Sequence, residues 1–105
     1  MQPFLGFWGK LKKPIFVLAP LANVTDAVFR AHIVKYSKPD VFWTEFVSAD
    51  GLCHPKGREA LVRDLKFSEA ERPIVAQLFT AYPDNMREAA KLCTELGFDG
   101  IDINM

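Results

Sequence analysis

The stretch that decides the fold is PIVAQLFT, residues 73–80, because it combines a strand-like apolar run with a single amide. Residues 74–79 have the length and apolar character expected of a strand that is buried on both faces. Gln77 lies inside this run. A primary amide that is removed from water without partners costs about 1–3 kcal/mol, so both its donor and its acceptor need partners. The neighbouring backbone, a trapped water molecule or a ligand could supply them.

A helix and a further strand are predicted directly downstream. The segment YPDNMREAAKLCTELG (82–97) predicts a helix with Pro83 in its first turn and Gly97 at its C-terminal cap. GIDINM (100–105) predicts a fourth strand. The predicted helix has one apolar stripe, formed by Met86, Ala89, Ala90, Cys93 and Leu96.

The same alternation is found upstream. PIFVLAP (14–20) predicts the first strand and VFWTEFV (41–47) the second, and the helix between them is expected to have Thr25 as its N-cap and Asp26 in its first turn. In segment 48–72, GLCHPKG predicts a loop and REALVRDL a short helix.

Apolar strands that alternate with helices predict an α/β fold with a parallel sheet. About four parallel strands with crossover helices would form the N-terminal half of a (β/α)8 TIM barrel, which needs about 250 residues in all. Because nothing follows Met105 to cover the last strand, we expect a truncated chain with a single partial domain over residues 1–105. The C-terminal half of the barrel would be absent.

The composition is that of an ordinary soluble globular protein. Lys and Arg number 13, as do Asp and Glu, so no overall field points to nucleic acid or to a membrane surface. No apolar stretch approaches the roughly 18 residues that a membrane span requires. The first positive charges follow the apolar start instead of preceding it, the wrong order for a secretory signal. We therefore expect a cytoplasmic protein without a membrane partner.

The cysteines and histidines offer little support for a metal site or a nucleophile. Cys53 and Cys93 lie too far apart for a CxxC pair and indicate a reducing compartment. Cys53 and His54 are adjacent, so their side chains are expected to diverge, which disfavours a catalytic dyad. Cys93 is expected in the core. No metal site is predicted.

Polar residues or tight turns stand at the carboxyl end of each predicted strand, in APLAN, TEFVS, AQLF and DINM. In parallel α/β folds this edge of the sheet binds ligands. The alternative is that strand ends become polar because they approach solvent. Gln77 weakens that alternative, since two apolar residues still follow it.

Three segments resemble those of one enzyme family. APLANVTDAVFR resembles the APMxxVTDxxFR signature of the tRNA-dihydrouridine synthases, and VAQLF and DGIDINM resemble that family's QLxG and DxNxGCP segments, in the same order. The resemblance runs from about Pro14 to the last residue. It implies a flavoenzyme with an FMN-binding barrel and a helical tRNA-binding domain, which uses NADPH to reduce uridine in tRNA to 5,6-dihydrouridine.

The resemblance also implies a set of cofactor-binding residues. The segment after the first strand would lie against the flavin, and the strand glutamine, Gln77, would hydrogen-bond the flavin ring. Asn104 would face flavin and substrate. The residues expected after the first strand are Pro20, Leu21 and Ala22, where Leu21 replaces the family's usual methionine.

Other polar residues are expected to have structural roles. Glu45 and Ser48 also resemble family residues, and Glu45 is interpreted as an anchor at the barrel mouth. Asp26 is better explained by helix capping than by catalysis. Asp99 and Asp102 are not a carboxylate pair, because their odd spacing directs them to opposite faces of a strand.

No catalytic residue is predicted within the chain. In the family the acid is a cysteine in the GCP that would follow Met105, so the fragment is expected to be inactive alone. Two alternatives remain from the sequence: another FMN-dependent barrel oxidoreductase, such as a dihydroorotate dehydrogenase-like protein, and a non-catalytic half-barrel that assembles through its open edge.

Overall fold

The computed structural model describes residues 3–105. The α-helices are α1 (Ala27–Tyr36), α2 (Ala49–Cys53), α3 (Pro55–Leu61) and α4 (Pro83–Glu95). The strands are β1 (Phe42–Trp43), β2 (Val47–Ser48), β3 (Ile74–Phe79) and β4 (Gly100–Ile103). Turns of 3₁₀-helix lie at Gly6–Lys10, Val62–Leu65 and Glu69–Glu71. No helix among residues 3–105 combines the length and the apolar character that crossing a bilayer requires.

The strands form one parallel sheet in which β3 is central. β1 and β2 pair with one edge of β3 and β4 pairs with the other. A parallel bridge between Val17 and Val41 adds the segment before α1 beside β1. The strands therefore lie side by side in chain order, as in a (β/α) barrel, whereas a doubly wound sheet reverses its order at a switch point. The prediction of parallel strands joined by helical crossovers is confirmed.

The core lies on one face of the sheet. Side chains of β2 and β3 pack there against α2 and α4, and Ala76 and Leu78 of β3 belong to this cluster. Because side chains alternate along a strand, Gln77 points to the opposite face. We call that face, which bears Trp43, Gln77 and Asp102, the inner face. The core residues are Val47, Ala49, Leu52, Leu65, Ala76, Leu78, Ala89 and Cys93.

The N-terminal 3₁₀ turn packs on the inner face. A Cβ atom added to Gly100 would lie 3.1 Å from Cε1 of Phe7, so glycine allows the Phe7 ring to approach β4 closely. The Trp8 ring centroid lies 6.0 Å from that of Trp43. This contact covers the inner face below Gln77, towards the start of the strands.

The predicted first strand is reduced to a single bridge. The amide of Leu18 donates to the Val41 carbonyl, and the amide of Asp40 donates to the Phe16 carbonyl. Phe16 and Val17 remain 68% and 47% exposed. The prediction of a regular strand over 14–20 is therefore wrong, since the segment has one strand neighbour and lacks a cover for its apolar side chains.

The predicted second strand is interrupted by a bulge. Val47 follows Phe42 by five residues, whereas their partners on β3, Leu78 and Ile74, are four residues apart. One extra residue is thus accommodated between β1 and β2, the defining feature of a β-bulge. Bulges of this kind redirect side chains, which matters here because Thr44 and Glu45 lie within it.

The helices differ from the prediction in two places. The N-cap of α1 is Asp26, whose Oδ1 accepts from the Phe29 amide at 2.8 Å, and not Thr25. The predicted loop GLCHPKG is mostly helical, within α2 and α3. Its glycines permit close packing: a Cβ atom on Gly57 would lie 2.3 Å from the Gly51 carbonyl oxygen.

The strand–helix–strand unit from β3 to β4 agrees with the prediction. α4 begins at Pro83, and Gly97 adopts a φ of 92°, a left-handed conformation that favours glycine after a helix. Leu96, expected on the apolar stripe, is 39% exposed. Leu96 is the C-cap residue after α4, and Leu92, outside the predicted stripe, packs against the core.

Candidate functional site

Gln77 is held on the inner face by a second side chain. Gln77 pairs with Asp102 in the register of β3 and β4, and its Nε2 donates to Asp102 Oδ2 at 2.7 Å. Nε1 of Trp43 donates to the same oxygen at 3.2 Å. The amide nitrogen therefore has a carboxylate partner, an option absent from the sequence prediction, which considered backbone, water or ligand.

The backbone of Gln77 is fixed by the bulge. Its amide donates to Oγ1 of the fully buried Thr44 at 3.1 Å, where a regular ladder would offer a carbonyl. Thr44 in turn donates its own amide to the Val75 carbonyl at 2.9 Å. Gln77 is thus positioned through both its main chain and its side chain.

The carbonyl oxygen of Gln77 is free to accept a hydrogen bond. No donor within residues 3–105 contacts this oxygen. In the same part of the chain, Glu45 Oε1 is the buried side-chain oxygen that lacks a partner, so the Gln77 oxygen is not sealed from solvent. A half-buried acceptor with a fixed amide beside it can bind a ligand that offers an N–H group.

Two aromatic rings lie beside Gln77 at the carboxyl edge of the sheet. Phe79 follows Gln77 by two residues and so shares its face. The rings of Phe46 and Phe79 meet edge to face with centroids 5.2 Å apart, and they remain 45% and 36% exposed. They provide an apolar wall that a planar ligand could contact. This pair could not be predicted from the sequence, because its contact depends on the bulge.

Asn104 lies immediately after β4, at the same edge. Its amide donates to the Leu78 carbonyl at 2.9 Å, which continues the pairing of β3 with β4 by one residue. Because it follows Asp102 by two residues, the alternation of the strand directs its side chain to the inner face. Its side chain is exposed.

The loop that contains Pro20, Leu21 and Ala22 is a tight turn closed by Thr25. Thr25 Oγ1 accepts from the Leu21 amide at 2.9 Å, and the Leu21 carbonyl accepts from the Thr25 amide at 3.0 Å. Asn23 adopts a left-handed φ of 62°. The Leu21 side chain is 56% exposed. No hydrogen bond within residues 3–105 links this loop to Gln77 or Asn104.

A buried ion pair between Arg30 of α1 and Glu71 supports the same loop. Arg30 Nε donates to Glu71 Oε1 at 2.5 Å, with both side chains at most 2% exposed. Arg30 also donates to the Thr25 carbonyl at 2.9 Å and to the Lys66 carbonyl at 2.7 Å. Thr25, Asp26 and Arg30 of the VTDAVFR segment therefore have structural roles. The capping role predicted for Asp26 is confirmed.

A polar cluster joins the ends of β2 and β3. Asp50 Oδ1 accepts hydrogen bonds from Thr80 Oγ1 and, at 2.8 Å, from Asn85 Nδ2. These hydrogen bonds lower the pKa of Asp50, with the Thr80 hydroxyl as the largest cause. The carboxylate consequently links the start of α2, directly after β2, to the turn after β3, at the edge where Phe46 and Phe79 lie.

Glu45 and Ser48 occupy different environments. Ser48 caps α2, since its Oγ accepts from the Gly51 amide at 3.1 Å. Glu45 contributes to a cavity of about 180 Å³ with Asp26, Arg63 and Asp64, and its Oε1 has no partner within residues 3–105. An anchoring role for Glu45 stays a prediction.

Neither cysteine lies on the inner face. Cys93 is in the helix-covered core, where burial raises the pKa of its thiol to about 11. Cys53 donates its thiol to the Asn85 carbonyl at 3.6 Å. Among residues 3–105, no group of three His, Cys, Asp or Glu side chains is arranged to hold a metal ion.

Comparison with known proteins agrees with this arrangement of segments. The sequence model of the family described as Dihydrouridine synthase (Dus) matches residues 17–105. A "Probable tRNA-dihydrouridine synthase 2" of Bacillus subtilis is 46% identical over 100 residues, which are 95% of this chain and 31% of the relative. A "Probable tRNA-dihydrouridine synthase" of Staphylococcus aureus (strain COL) is 43% identical over 95% of this chain and 30% of its own length.

The chain spans about a third of the length of these curated relatives. The family match extends over most of the chain and includes the Val17 bridge, α1, the bulge, Gln77 and Asn104. It favours the synthase interpretation over the dihydroorotate dehydrogenase-like alternative. The chain belongs to the dihydrouridine synthase family.

Proposed function

We propose that this chain forms the FMN-binding part of a tRNA-dihydrouridine synthase, which reduces uridine in tRNA to 5,6-dihydrouridine with NADPH. The observation that carries the proposal is the side-chain carbonyl oxygen of Gln77, which has no donor among residues 3–105 and is not sealed from solvent. The relatives named above carry the name of this activity, and FMN, NADPH and tRNA follow from the family resemblance. A cytoplasmic location is proposed on the same basis.

The residues present fit a flavin. The pyrimidine portion of a flavin presents an imide N–H between two carbonyl groups, and a carboxamide can accept from the first and donate to the second. Gln77 has a free acceptor, and its amide nitrogen carries a second hydrogen besides the one donated to Asp102. The adjacent rings of Phe46 and Phe79, which meet edge to face, add an apolar and partly exposed surface.

Each candidate residue then has a defined task. Bound FMN supplies hydride transfer between NADPH and the uracil ring. Gln77 would hold the imide edge, Asn104 at the end of β4 would face the flavin and the substrate, and Phe46 and Phe79 would exclude water from one side. The loop of Pro20, Leu21 and Ala22, fixed by Thr25 and Arg30, would lie against the ring.

The proton acid is not assigned within this chain. Cys93 lies in the core on the helix-covered face of the sheet, where burial raises the pKa of its thiol to about 11. Cys53 is engaged with the Asn85 carbonyl. We therefore propose that the acid cysteine, the tRNA contacts and catalytic turnover require sequence beyond these residues, and that residues 1–105 alone are inactive.

This function can be tested by measurements on the complete gene product. We expect it to carry visible flavin absorbance after purification, and to convert uridine to dihydrouridine in unmodified tRNA when NADPH is supplied, measured by mass spectrometry of tRNA digests. Residues 1–105 alone serve as the inactive control. A folded but colourless product that cannot be loaded with FMN would refute the proposal.

A further inference from the structure

The side chain of Asp102 determines what Gln77 can present to a ligand. An ionised carboxylate only accepts hydrogen bonds, so it must face the nitrogen of the carboxamide and not its oxygen. Asp102 Oδ2 receives Nε2 of Gln77 at 2.7 Å and Nε1 of Trp43 at 3.2 Å. The indole N–H is donor-only, so Trp43 keeps this oxygen in place as an acceptor.

We infer that Asp102 is a positioning residue that locks the carboxamide of Gln77 with its carbonyl oxygen towards the ligand. The reversed amide would bring its oxygen against the carboxylate, which places two acceptors together and leaves the nitrogen outward. Asp102 and Gln77 are direct partners in the strand register, so the backbone holds this pair together without a flexible linker. The side chain of Asp102 does not itself need to contact the ligand.

This assignment deepens the proposed function and rests on the FMN site. With its oxygen towards the ligand, Gln77 requires a ligand that donates a hydrogen bond, which the imide N–H of a flavin can do. The assignment also separates Asp102 from Asp99, whose carboxylate is engaged by Arg72 and by the Ile74 amide at the other end of the sheet. Asp99 is therefore a structural residue, and it makes no hydrogen bond to Gln77 within residues 3–105.

The test uses the complete gene product, with FMN and an FMN methylated at the imide nitrogen as probes, in fluorescence titrations. Wild-type protein should prefer FMN over the methylated analogue. Asp102→Ala should weaken FMN binding about ten-fold, the typical effect of losing a hydrogen bond to a charged group, and should lose most of the preference. Asp102→Asn retains an acceptor oxygen and should fall between the two. Asp84→Ala, an exposed change on α4, should match wild type.

The preference between the two probes is the decisive readout, because a merely structural role would weaken both probes equally. If Asp102→Ala fails to fold, Asp102→Asn and Trp43→Phe carry the same test, with a smaller loss of preference expected in each. If wild-type protein binds FMN and the Asp102 variants keep the wild-type preference for FMN over the methylated analogue, this inference is wrong and the proposed function stands. Failure of wild-type protein to bind FMN would overturn both.

Discussion

The segment before and through α1 and the unit from β3 to β4 follow the same plan of strand, turn and helix, yet different forces hold them. β3 pairs on both edges and buries Ile74, Val75, Ala76 and Leu78 almost completely. The segment around Val17 pairs through one bridge, and the buried side chain of α1 is Arg30. Apolar packing fixes the later unit, whereas one polar network fixes the earlier one.

The difference matters because both units contribute to the candidate site. Gln77 lies on a strand that pairs along both edges and buries its apolar side chains. The loop of Pro20, Leu21 and Ala22 depends on Thr25 and Arg30, which in turn depend on Glu71 from a distant part of the chain. A polar network of this kind tolerates little change, since each buried group must keep its partner.

Arg30→Ala is expected to have the largest effect on stability. It leaves the Glu71 carboxylate buried without a counter-charge, which costs about 3–5 kcal/mol of the free energy of unfolding. Urea-induced unfolding measures the loss. Arg87→Ala, which removes an exposed pair at 3.7 Å, should cost less than about 0.5 kcal/mol. Equal effects of the two variants would show that the buried pair does not hold the first unit.

A second pair of variants compares the two units directly. Leu78→Ala creates a cavity in the core and should cost about 2–5 kcal/mol. Val17→Ala changes a side chain that is 47% exposed and should change the free energy of unfolding by less than about 0.5 kcal/mol. The same urea measurements apply to both. A large loss from Val17→Ala would mean that apolar packing also fixes the first unit.

The later unit could be predicted from sequence because its signals are local. An apolar run, a proline at the helix start, a glycine at its end and an apolar stripe together define β3, α4 and β4. The exposure of Leu96 and the packing of Leu92 against the core could not be predicted, since both depend on how the end of α4 packs in the fold. The sequence predicts Gln77 as a site residue because an amide inside a buried strand needs partners, and this role stays a prediction.

The remaining features arise from contacts between distant segments. The bulge between β1 and β2 follows from the pairing of residues that lie more than thirty positions apart, which one sequence does not reveal. The odd spacing of Asp99 and Asp102 correctly separates the two carboxylates, but it does not predict that Asp102 pairs with Gln77. The pattern around Gly51 and Gly57 predicts a loop, although these glycines permit the close contact of α2 with α3. The burial of Arg30 likewise depends on Glu71, which lies far away in the sequence.

The central claim is that the carboxamide of Gln77 receives the polar edge of a flavin. The most direct test is an FMN titration of the complete gene product with Gln77→Met, which keeps the side-chain volume and removes both hydrogen-bonding groups. Thr94→Ala, on the exposed surface of α4, is the matched control. We predict FMN affinity at least about ten-fold weaker for Gln77→Met and unchanged for Thr94→Ala, with both variants folded. Wild-type affinity in a folded Gln77→Met protein would contradict the claim.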